Sequence, residues 1–156
     1  MRRTRRRLAV AALGLLLAGC STQVAGRPSP ATSGTPEGDR GLVEQYFTDL
    51  NASADDGAST QRDFLRRTQH PDYTDRLCDL GDLILRIEPA MSTFRADPDW
   101  VPPESGSGER PRGTVYVLGV SISIRQQGAL LGEQIGSQRV VVLEGRAYGF
   151  SPCPTG

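Results

Sequence analysis

Acid–base chemistry at neutral pH needs ionisable side chains that converge, and this chain offers few. Its candidates are His70, Asp79, Asp82, Tyr46, Tyr73 and Tyr116. The single histidine precedes Pro71 at the end of a helical pattern, where an imidazole more often faces solvent and is favoured by the helix dipole. Asp79 and Asp82 flank Leu80-Gly81 and read as turn formers, and the tyrosines read as core residues with a tethered hydroxyl. No pair among them has a spacing diagnostic of a catalytic couple, so no catalytic residue is assigned. One histidine and the cysteines make no metal-ligand set. Gly-x-Ser-x-Gly, phosphate-loop and dinucleotide fingerprints are absent, and no cofactor is expected.

The elements that must position these groups are limited by length. A chain of 156 residues holds one domain with appendages, which excludes a two-domain enzyme. No stretch reaches the ~18 to 20 apolar residues of a permanent membrane helix, which excludes a polytopic membrane protein. All 18 basic residues are arginine and 18 residues are acidic, but the balance is uneven. Five arginines and no acid fall in residues 1–19, leaving 13 basic against 18 acidic side chains in the rest. A domain so acidic, without a dense basic stripe, is a poor partner for nucleic acid, whose binding rests on neutralising phosphates.

The N-terminus carries Arg2, Arg3, Arg5, Arg6 and Arg7, then an eleven-residue apolar run, Leu8–Ala18, then Leu17-Ala18-Gly19-Cys20. Charge, hydrophobic length and tetrapeptide in that order resemble the lipobox signal peptide of bacterial lipoproteins. The resemblance implies that residues 1–19 are removed and that Cys20 becomes a lipidated first residue. The domain would then sit on the extracytoplasmic face of the cell membrane. Thr4-Arg5-Arg6-Arg7-Leu8 also resembles a twin-arginine export signal, and the general secretory route stays open beside it. Between Ser21 and Asp39, 14 of 19 residues are Ser, Thr, Ala, Gly or Pro. Residues 20–39 are therefore expected to be a lipidated cysteine and a flexible tether, with a globular domain over 40–156.

Leu42, Val43, Tyr46, Phe47 and Leu50 form one apolar face and predict a helix over about Arg40–Ala52. A polar turn through Gly57 leads to a second helix, with Ser59 and Thr60 as candidate caps, Phe64 and Leu65 as its buried residues, and an end before Pro71. Asp72–Leu80 adds a helical turn or two. Leu83–Pro89 alternates as a strand does, although Leu80, Leu83, Ile84 and Ile87 also fit a helix. Ala96–Arg112 is rich in Pro, Gly and Ser and reads as an exposed loop holding Trp100. Then Tyr116, Leu118, Val120, Ile122 and Ile124 alternate on one face of a long strand. Arg125–Gly128 turns into a second strand, Leu131–Leu143, bulged near Gly132 or Gly136, and Glu144-Gly145 turns into a third, Arg146–Ser151. The expected fold class is α+β, a helical hairpin packed on a curved antiparallel sheet.

That order, closing in Leu143-Glu144-Gly145-Arg146-Ala147-Tyr148, resembles the nuclear transport factor 2-like superfamily, with its cone-shaped α+β domain. The aromatic is Tyr148, one residue later than the tryptophan that often follows Gly-Arg there. The resemblance implies a cone cavity that some members use as isomerases, dehydratases or epoxide hydrolases and that others leave without chemistry. With only Tyr116 bringing a polar handle among the expected inward residues, the function expected is binding of a partner or an apolar ligand at the cone mouth. Trp100 and Tyr116 would be the contacts. An isomerase or dehydratase and a structural accessory of an envelope complex are the alternatives. Once Cys20 is lipidated, Cys78 and Cys153 remain as an even pair in an oxidising compartment, and a disulfide between them is expected.

Overall fold

Asp39, Val43, Tyr46, Phe47 and Leu50 recur at helical spacing, so one side of a helix can bury all five. In the computed structural model, which describes residues 36–103 and 108–151, they lie on α1, Pro36–Asp55. Pro36 suits the first turn because the N–H it lacks is not needed there. Glu37 and Asp39 sit at the positive end of the helix dipole. Residues 36–39, expected in the tether, are thus helical, and α1 also runs on to Asp55 through the expected turn. The expected signal peptide over 1–19, Cys20, the tether up to residue 35 and Cys153 lie outside the described residues.

The second helix, α2, spans Ala58–Thr68 and starts from Gly57, whose φ of +111° suits glycine alone. No side chain caps it, and the expected caps Ser59 and Thr60 lie inside it. A 3₁₀ helix, Pro71–Arg76, follows, capped by the ring of His70. Four strands complete the chain: β1 Leu83–Ala96, β2 Thr114–Gln126, β3 Ala129–Leu143 and β4 Arg146–Gly149. They form one antiparallel sheet in the order β1-β2-β3-β4, so the fold is α+β, helices followed by a curved meander.

Two tight turns set this order. Gln127-Gly128 and Glu144-Gly145 each place two successive residues at positive φ, the twist that lets two strands fold back on each other. The bulge expected near Gly132 is Leu131, since Ile124 pairs with Gly132 but Arg125 pairs with Leu130. A larger irregularity lies in β1, where residues 91–94 stand against Leu118. Thr93 holds it: its hydroxyl donates to the Ala90 carbonyl at 2.7 Å and accepts from the Gly119 N–H at 2.7 Å. β1 continues through Pro89, which an edge strand tolerates because one side of it needs no ladder bonds.

α1 and α2 cover one face of the sheet. Val43, Phe47 and Leu50 pack there against Leu85, Ile87, Leu118, Val120, Val140 and Val142. Side-chain amides from both helices fill the outer edge of β1 at Leu85 and Ile87. Asn51 donates to the Ile87 carbonyl at 2.8 Å and accepts from the Ile87 N–H at 2.9 Å. Gln61 does the same for Leu85, at 2.6 and 2.8 Å. At the other end, Gln69 bridges to Gly149 in parallel, and the His70 N–H donates to the Gly149 carbonyl at 3.0 Å. The chain leaving α2 therefore closes the outer edge of β4.

Candidate functional site

The space between helices and sheet is occupied by side chains. Leu118, Val140 and Val43 have no exposed surface, and Tyr116 keeps 5%. The Tyr116 hydroxyl donates to Asp39 Oδ2 at 2.6 Å, and Phe94 stacks on its ring at 4.5 Å. Burial first, and the hydrogen bond to Asp39 second, push the phenol above its ordinary pKa. Asp39 is the polar residue that reading the sequence missed, because Ser/Thr/Gly/Pro composition placed it in the tether. Its signal was its phase, four and seven residues ahead of Val43 and Tyr46. A carboxylate bonded to a phenol is a base facing a donor, but here each satisfies the other inside packed apolar residues. Tyr46, also expected in the core, has its phenol pushed up to about 12 by burial.

The opposite face of the sheet carries the second group of candidates. Val115, Val117 and Val141 are buried there, with Asp97 bonded to Val115 and Gly113 lying against Val141. The chain after β1 is fastened at Asp97 and at Trp100. The Asp97 N–H donates to the Val115 carbonyl at 2.9 Å, and Arg139 Nε donates to the Asp97 carboxylate at 2.9 Å. Trp100 packs edge-on against Phe150 at 4.7 Å, with the Arg139 guanidinium 5.2 Å from its ring centre. These side chains, with Pro103, Ser137 and Gln138, line a shallow cleft of about 220 Å³. Trp100 does not meet Tyr116: Arg139, which touches Trp100, alternates on β3 with Val140, which faces Tyr116. The two expected contacts lie on opposite faces of the sheet, and Pro102 and Pro111 are buried.

His70 is not at the surface. Its ring has no exposure, stacks on Phe150 at 5.6 Å and joins two segments. Nδ1 accepts from the Asp72 N–H at 3.2 Å, and Nε2–H donates to the Arg112 carbonyl at 2.9 Å. Both ring nitrogens are engaged, so the imidazole is a structural staple held neutral. Asp72 in turn receives two nitrogens of Arg112, at 2.7 and 3.0 Å, which lowers its pKa. Asp79 accepts from the Gly81 N–H at 2.9 Å, the turn role expected of it.

Burial lowers the pKa of His70. Its folded-state value lies below the unfolded 6.5, so the unfolded chain binds the proton first as pH falls. Stability is therefore whole above pH ~6.5 and falls below it, by at most ~1.4 kcal/mol per unit. Asp72, whose folded pKa is also lowered, adds its own loss only below its ordinary value of 3.8. A His70→Asn variant is expected to be weaker at pH 8 by about 2 kcal/mol but flat between pH 6.5 and 5. Urea unfolding from pH 8 down to pH 5 measures both, and an unchanged slope in the variant would assign the acid limb elsewhere.

A larger cleft, about 620 Å³, opens between α2 and the segment after the 3₁₀ helix. Leu65, Leu77 and Leu80 make its apolar part, Arg62 and Arg66 its rim, and Cys78 and Ser151 both line it. Cys78 carries no free thiol. Among the described residues no group of three or more His, Cys, Asp or Glu could hold a metal ion. Among them, too, no helix is long and apolar enough to cross a membrane.

No family model and no curated protein matches the chain. Among solved structures, the NMR structure of TraH from the Gram-positive conjugative plasmid pIP501 aligns over 79% of this chain and 97% of its own, at 6% identity and a TM-score of 0.38.

Proposed function

We propose that this chain is a lipid-anchored extracytoplasmic domain that works by binding a partner rather than by turning over a substrate. The carrying observation is the packed interior. Between helices and sheet, Asp39 and Tyr116 are buried and satisfy each other, so among the described residues no poised base stands there beside an empty chamber. We also propose a nuclear transport factor 2-like architecture, supported by a helical hairpin leading into a bulged antiparallel meander. The contact surface in this reading is the Trp100 cleft on the outer face of the sheet, where an aromatic edge and a guanidinium are both half-exposed.

The anchor rests on the lipobox-like sequence ending at Cys20, and the Cys78–Cys153 bond on two further facts. Cys78 has no free thiol, and Ser151, two residues before Cys153, lines the same cleft as Cys78. Closing a loop of about 75 residues would stabilise the domain by roughly 4 kcal/mol in the chain-entropy model. Fractionating cells that produce the full chain tests the anchor. Wild type should enter the membrane pellet with residues 1–19 missing, and Cys20→Ala should stay uncleaved or become soluble. A soluble wild-type protein retaining Met1 would end this reading, as would two alkylatable thiols on the unreduced protein for the disulfide.

A further inference from the structure

His70 is the point where three segments of the chain meet. Its backbone N–H donates to the Gly149 carbonyl at 3.0 Å, its Nδ1 accepts from the Asp72 N–H at 3.2 Å, and its Nε2–H donates to the Arg112 carbonyl at 2.9 Å. Phe150, next after Gly149, lies parallel to the imidazole, 10° off and 5.6 Å between ring centres. The same phenyl ring supports Trp100, which meets it edge-on at 4.7 Å in the cleft shared with Ser137, Gln138 and Arg139. One phenylalanine therefore stands between a fully buried histidine and the tryptophan of the outer cleft.

We infer that protonating His70 loosens Phe150 and through it Trp100, so that the cleft is formed at neutral pH and taken apart in mildly acidic surroundings. The buried ring has no place for a second proton. That proton would sit on Nδ1 and point at the Asp72 N–H, donor against donor, ending the cap on the 3₁₀ helix. The charged groups facing the imidazole are Asp72 and Arg112. Asp72 Oδ2 is 3.8 Å from Nδ1, but its carboxylate already receives two nitrogens of Arg112, whose own charge opposes an imidazolium. Tyr73 and Tyr148 bring phenols, their ring centres 5.5 and 6.1 Å away, and Arg76 lies over the Tyr73 ring. The Phe150 side chain brings no polar atom. A buried cation without a partner is costly, so the charged ring is stable only where water reaches it. Outside its site the ring titrates near its ordinary 6.5, so the opened junction gains up to about tenfold in population for each pH unit below that value. On leaving, the ring gives up the Arg112 carbonyl and the face of Phe150 together, and Trp100 loses the support behind it. The inference rests on the reading of the Trp100 cleft as the contact surface and adds its regulation.

Trp100 is the single tryptophan, so acrylamide quenching of the detergent-extracted full chain reads its exposure directly. Between pH 7.5 and 5 the wild-type quenching constant is expected to rise about twofold, reversibly and with unchanged far-UV circular dichroism, as a local opening requires. His70→Asn has no proton to gain in that range and should stay flat. Phe150→Leu keeps an apolar cover on His70, and with it the acid loss of stability in urea, but removes the ring that reaches Trp100. Its quenching should not vary with pH, and it decides the matter if H70N does not fold. Flat quenching in wild type would overturn the inference. So would a rise that H70N or F150L retains, or one that comes only with loss of the far-UV signal. No partner is needed for these readouts, so failure here leaves the binding role standing, and failure to find a partner leaves the switch standing.

Discussion

A Gln61→Leu variant is expected to lose about 3 kcal/mol of stability, although leucine fills nearly the same volume and is the more apolar residue. Gln61 is 1% exposed, and its amide holds both backbone groups of Leu85. Leucine would strand a donor and an acceptor where water cannot reach, at about 1–3 kcal/mol for each. The burial gained offsets only part of that. Asn51→Leu removes the equivalent pair from Ile87 at a partly exposed site, so its loss should be smaller, about 1.5 kcal/mol. Urea unfolding of the three proteins gives the comparison. If Q61L lies within about 1 kcal/mol of wild type, the amide is not what holds the edge.

The other large effect is expected at Gly149, and it is steric. A methyl group there would fall on the Tyr46 hydroxyl and lie 2.8 Å from Tyr46 Cζ. Backbone surrounds the glycine on two sides, since β4 pairs it with Val140 and the Gln69 segment bridges to it. The tyrosine ring is itself fixed, 5.3 Å from Phe47 and 5.6 Å from Phe64. Gly149→Ala should therefore cost about 3 kcal/mol, at the upper end of what overpacking does. Tyr46→Phe deletes the nearer atom, so in that background the same substitution should cost about half as much. Purely additive losses in the double-mutant cycle would mean that Gly149 is needed for another reason.

Reading from sequence found the elements where one period dominates. Tyr116, Leu118, Val120, Ile122 and Ile124 keep strand phase and are a strand; Val43 to Leu50 keep helical phase and are a helix. It failed where polar residues take core positions. Asp39, Gln61 and His70 are all buried, and composition assigns each to tether, surface or solvent. Gln61 did carry a signal: it lies three and four residues before Phe64 and Leu65, on the buried side of α2. His70 carried none, because its partners Arg112 and Phe150 are distant in sequence and only the fold brings them together. β1 was cut short at Pro89 because a proline ends most strands, whereas at an edge it need not. For the candidate site, Trp100 was visible as an aromatic in a polar loop. The face it takes follows from contacts of Arg139 and Phe150 that no local pattern encodes.

The amides that hold β1 at Leu85 and Ile87 also bear on how the sheet breathes. In most sheets the backbone protons of an edge strand exchange with solvent by fraying, long before those of the interior. The outward N–H groups of Leu85 and Ile87 are instead held by Gln61 and Asn51, which sit on helices that must move before either proton is released. Their deuterium uptake should follow that of α1 and α2 rather than that of an edge, so the helical hairpin and β1 open as one cooperative unit.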